Sequence, residues 1–99
     1  MKKLKRYRTE ISNRLKNDYE YRVEPDYKKP VFRRPDGIEF AINSFYFYDN
    51  EPVIFLDYGL EPGDPYLSFV DGNMFYVNKL SVDEIYNQMV NEIKNWPYH

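Results

Sequence analysis

Apolar residues recur at Leu4, Tyr7, Ile11 and Leu15, spacings of three, four and four that lay one stripe along a helix. At about 100° per residue, Lys2, Lys5, Arg6 and Lys16 fall on the opposite side and Arg8 on the flank of the stripe. The spacing predicts a helix over about 3–17. In "DYEYRVEP" the period changes to two: Tyr19, Tyr21 and Val23 alternate with Glu20, Arg22 and Glu24, the pattern of a half-buried strand that Pro25 stops.

"VFRRPDGIEFAI" predicts a hairpin. Pro35 presets its own φ and Gly37 accepts a positive one, so strands of about 30–34 and 38–42 flank the turn. Ile38, Phe40 and Ile42 share a face, but Phe45 and Phe47 sit on odd positions, which a bulge at Asn43-Ser44 would reconcile. "DNEP" is a turn, and "VIFLDY" is apolar on both faces, as a central strand requires. "YLSFV" and "MFYVN" then bracket a tight loop at Asp71-Gly72-Asn73. Last, Ser81 with Glu84 three residues on is a capping box. It opens a helix over about 82–95 with apolar face Val82, Ile85, Tyr86, Met89, Val90, Ile93 and Trp96, ended by Pro97.

Helix, five or six short strands and helix, joined by hairpin-length links, predict an α+β fold. Its sheet is an antiparallel meander of about five strands, with the N-terminal and C-terminal helices packed on one face. Ninety-nine residues are expected to form one domain. A chain this short needs large side chains for its core, and eleven Tyr, seven Phe and Trp96 supply them.

Composition narrows the chemistry. Without cysteine there is no disulfide, zinc-thiolate site or Cys nucleophile. That fits the cytoplasm, as does a basic start with no apolar stretch behind it to make a signal peptide. No apolar run is long enough for a membrane helix, so no membrane association is expected. The excess of Asn, Lys, Tyr and Asp over a lone alanine, Ala41, fits an AT-rich genome of bacterial or phage type.

Histidine occurs only as the terminal His99, which removes Ser-His and Cys-His catalysis. No glycine-rich phosphate loop occurs. "RRPDGIEFA" superficially resembles the PD-(D/E)xK metal-dependent nucleases in Pro35-Asp36 and Glu39. However, Ala41 stands where that family places lysine, the acids lie only three apart, and a turn explains the stretch better. Asp57, Glu61 and Asp64 could collect a hard cation but lack EF-hand spacing. Neither a cofactor nor a metal is expected, and a carboxylate enzyme is a remote alternative to a non-enzymatic protein.

Charge is segregated along the chain. Residues 1–34 carry twelve cations against five carboxylates, net +7, and residues 35–99 carry two against eleven, net −9. Such asymmetry suggests a binding surface, although the two sets can also neutralise each other inside one fold. The leading expectation is a protein-interaction or regulatory module. It would present Tyr46, Tyr48, Asp49, Glu51 and Tyr58 to a protein partner or to its own copy, since Tyr is favoured at interfaces. The alternative is nucleic-acid binding through the basic opening, with Lys2, Lys5 and Arg6 extended by Arg33 and Arg34. A pI of 5.4 weighs against it.

Overall fold

The computed structural model describes residues 2–23, 25, 29–58 and 73–96. Helix α1 (Lys2–Asp18) is followed by strands β1 (Glu20–Val23), β2 (Pro30–Arg33) and β3 (Glu39–Phe47). A 3-10 turn at Tyr48–Asn50 leads to β4 (Glu51–Tyr58), β5 (Asn73–Tyr76) and helix α2 (Val82–Asn95). Every neighbouring strand pair is antiparallel and the spatial order is the chain order, a five-stranded meander. The expected strand at "YLSFV", residues 66–70, lies outside the described residues.

Both helices cover one face. Leu4, Tyr7, Ile11 and Leu15 of α1 and Ile85, Tyr86, Met89 and Ile93 of α2 are buried against Phe32, Phe40, Ile42, Ile54, Leu56, Tyr58 and Phe75 of the sheet. Each fully buried Leu, Ile or Phe contributes about 1.5–3 kcal/mol relative to exposure. The Ser81–Glu84 capping box forms with both of its hydrogen bonds. The helices are also latched to each other. Arg14 pairs with Asp83 at 2.6 Å and lies over the Tyr86 ring, whose hydroxyl donates to Asp18.

Turn chemistry fixes the β2–β3 hairpin. Gly37 has φ 96°, the Gly37 N–H donates to the Arg34 carbonyl at 2.9 Å, and Asp36 Oδ1 accepts from the Ile38 N–H at 3.2 Å. The β3–β4 link is tighter, because Phe47 still pairs with Glu51. Asp49 and Asn50 take φ of 58° and 57° there, the left-handed region that short polar side chains tolerate.

Two expectations need correction. No bulge interrupts β3, whose pairing with β4 is continuous from Phe40↔Tyr58 to Phe47↔Glu51. The phase change has another cause. Cover on the helix side fades along β3, with Ile42 buried, Ser44 half-buried and Tyr46 exposed. Phe45 instead meets Phe47 and Phe55 on the helix-free face, at 6.4 and 6.1 Å between ring centroids. Secondly, β1 is not half-buried through its apolar side chains. It is an edge strand in which Tyr21 and Val23 are exposed, and Tyr21 meets the core through its ring contact with Phe32.

Candidate interaction surface

The outer end of the β3–β4 hairpin concentrates exposed aromatic side chains. Tyr48 is 79% exposed, Tyr46 42% and Phe45 37%. Their placement follows from the strand. Tyr46 continues the helix-facing phase beyond the buried core, and Phe45 projects to the other face. Tyr48 sits in the turn with its ring 4.5 Å from that of Phe47, so it is held although uncovered. Asp49 beside it is exposed. Glu51 is half-buried at the start of β4, and its Oε2 is buried with no hydrogen-bond partner among the described residues.

Tyr58 does not belong to this surface. It is completely buried at the far end of β4, opposite Phe40, and its ring stacks on Trp96 at 4.0 Å and 5°. Its place on the helix-facing side of a central strand, beneath the end of α2, accounts for the burial. Removal from water holds its hydroxyl far above the ordinary tyrosine range.

The cationic set divides in the same way. Lys2, Lys5 and Arg6 are exposed on α1, and among the described residues no carboxylate lies within ion-pair distance of them. Lys2, Leu4, Lys5 and Arg8 line one wall of a groove of about 500 Å³, and Ser44, Phe45 and Tyr46 of β3 line the other. Arg8 spans it, donating from Nη1 to Ser44 Oγ at 3.1 Å. Arg33 is exposed but lies on β2 opposite Glu20 and Glu39, outside that groove. Arg34 is buried and committed elsewhere. Its guanidinium donates to the carbonyls of Ile93 and Trp96 at 2.7 and 3.1 Å and clasps Asp36, so it closes the end of α2 and extends no basic patch.

Among the described residues, charges therefore interleave over most of the fold and separate at one end. Arg14 meets Asp83, Arg34 meets Asp36, and Arg22 of β1 pairs with Glu39, which is 1% exposed on the helix-free face. On the same face Asn43 bridges Lys29 to the buried carboxylate of Asp57, whose proton affinity burial raises. The first turn of α1, by contrast, has no acidic residue, whereas α2 opens with Asp83 and Glu84. A helix N-terminus already carries partial positive charge, so the cations there are not placed to stabilise their own helix.

The bulge expected at Asn43-Ser44 brings Phe45 into phase with the core-facing Phe40 and Ile42, and nothing in the sequence gives Arg8 a role in a site. The odd phase of Phe45 and Phe47 was the available signal of the other face. For Arg8 there was none, because the Arg8–Ser44 contact joins positions 36 apart. Glu61 and Asp64, the other members of the acidic group, lie outside the described residues. Among the described residues no helix is long and apolar enough to cross a membrane. No family model, curated protein sequence or solved structure matches this chain.

Proposed function

We propose that this chain is a non-enzymatic protein-interaction module of the cytoplasm, of bacterial or phage type, and that it holds a partner or a second copy through the end of its β3–β4 hairpin. The observation that carries this reading is the grouping of Phe45, Tyr46 and Tyr48, exposed at one end of a continuously paired hairpin. Aromatic side chains of this kind dominate the energetics of interfaces. Asp49 and Glu51 stand at its rim, where charge sets orientation more than affinity.

The test joins sedimentation of the pure protein to capture from the native host. Any captured partner is identified, produced pure and titrated. Tyr46→Ala with Tyr48→Ala is expected to weaken the association by about thirtyfold to a thousandfold, two interface anchors at roughly 1–2 kcal/mol each. Unchanged self-association and unchanged partner affinity in that double variant would overturn the proposal.

Nucleic-acid binding through α1 is a second reading, favoured by the exposed Lys2, Lys5 and Arg6. It loses Arg34 to the end of α2 and Arg33 to another part of the surface, which shortens the cationic track. It predicts oligonucleotide binding that falls steeply with salt, and no binding at low salt removes it.

A further inference from the structure

The groove between α1 and β3 has a chemical bias that the exposed aromatic residues alone do not have. Lys2, Lys5 and Arg8 stand on the helical wall, Ser44, Phe45 and Tyr46 on the strand wall, where Tyr46 supplies the aromatic ring because that of Phe45 turns to the other face, and among the described residues no carboxylate lines it. The Arg8–Ser44 hydrogen bond ties the two walls together, so the groove is part of the packed structure and not a gap between independent parts. Leu4, at its base, is already buried in the core. An occupant must therefore bring negative charge toward α1 and apolar or aromatic surface toward β3.

We propose that this groove receives an acidic peptide segment of a partner protein, one in which Asp or Glu alternates with apolar side chains. The proposal rests on the protein-interaction reading and adds the chemistry of the partner. Carboxylates would meet Lys2, Lys5 and Arg8, while the intervening apolar side chains lie on Tyr46. An extended peptide presents alternate side chains to opposite sides, which matches a groove whose two walls differ in this way. A nucleic acid satisfies the groove less well. Its phosphates need a longer cationic track, and the chain's net charge of −2 opposes a polyanion that runs beyond three cations.

The experiment is a fluorescence-anisotropy titration of the full chain with a labelled peptide alternating Glu and Phe. A peptide with Gln in place of Glu and an oligothymidylate are titrated alongside. The Glu peptide is expected to bind best and to weaken about tenfold between low and physiological salt. Lys2→Glu with Lys5→Glu is expected to abolish that preference and transfer it to a peptide alternating Lys and Phe. Both positions are exposed, so the variant retains its fold, and circular dichroism verifies this.

Equal binding of the Glu and Gln peptides, or no binding of either at low salt, overturns the proposal. So does tighter binding of the oligothymidylate, which assigns the groove to nucleic acid. So does self-association that the Lys2→Glu, Lys5→Glu variant loses, which assigns it to a second copy. Failure here leaves the hairpin-end reading to its own test, since that test uses Tyr46 and Tyr48 and a native partner or the second copy.

Discussion

The guanidinium of Arg34 donates to the carbonyl of Ile93 at 2.7 Å, joining the start of the β2–β3 turn to the last turn of α2 across 59 residues of chain. The same Nη1 reaches Trp96, while Nε and Nη2 hold Asp36. One buried cation thus donates to two carbonyls at the end of α2 and favours the negative end of the helix dipole. Arg34→Met is expected to cost about 3 kcal/mol, because it removes the charge partner of Asp36 and the donor to two carbonyls. Arg34→Lys keeps the charge but not the fork and should recover less than half of that loss. Urea unfolding of the three proteins measures both, and a loss below about 1 kcal/mol for Arg34→Met refutes the assignment.

Tyr58 supplies a test of opposite sign. Its hydroxyl is buried with no hydrogen-bond partner among the described residues, while its ring stacks on Trp96. Tyr58→Phe keeps the ring and deletes the unsatisfied group. Stability is expected to be unchanged or to rise by about 1 kcal/mol. A loss of more than about 1 kcal/mol would mean that the hydroxyl is bonded in solution.

Asp57 links the helix-free face to pH. Burial pushes its carboxyl above the usual 3.8, against the opposing effects of the Asn43 amide and the Lys29 charge. The folded state therefore holds that proton more tightly than the unfolded chain does, so this group's contribution is greatest below the usual value and is lost as pH rises through the folded one. Asp57→Asn removes the loss while leaving Asn43 an acceptor. The variant should melt above the wild type near neutrality, with the gap closing as pH falls toward about 4. A gap that widens on acidification contradicts this account.

Alkaline unfolding should be steep. Burial raises the proton affinity of Tyr19, Tyr58 and Tyr86, and the hydrogen bond of Tyr86 to Asp18 adds to its rise. The unfolded chain releases these protons near the ordinary value of 10.0, so stability falls as pH rises above it. Absorbance titration at the phenolate band, run beside far-ultraviolet circular dichroism, should show these three ionising only together with unfolding. Their ionisation in a folded chain would show that they are more accessible than the structure has them.

Both helices were legible residue by residue. Leu4, Tyr7, Ile11 and Leu15 are buried as their spacing predicts, and Ser81 and Glu84 cap α2. The strand pattern was legible as existence and order, and the turn at Pro35-Asp36-Gly37 as chemistry. Depth was not. The alternation of Tyr21 and Val23 reads like that of a covered strand, yet β1 is an edge, and the phase change at Phe45 marks a loss of helix cover in place of a bulge.

The binding surface divides along the same line. Local spacing alone determined that α1 carries an apolar stripe with cations behind it and that tyrosines crowd the β3–β4 turn, because both depend on periods of a few residues. Only the tertiary structure decided which of those residues remain available. It buried Tyr58 under Trp96, spent Arg34 on Ile93, and brought Lys2, Lys5 and Arg8 beside Phe45 and Tyr46. Those outcomes turn on contacts between residues some 35 to 60 positions apart, where side-chain period carries no information and packing alone sets the neighbours.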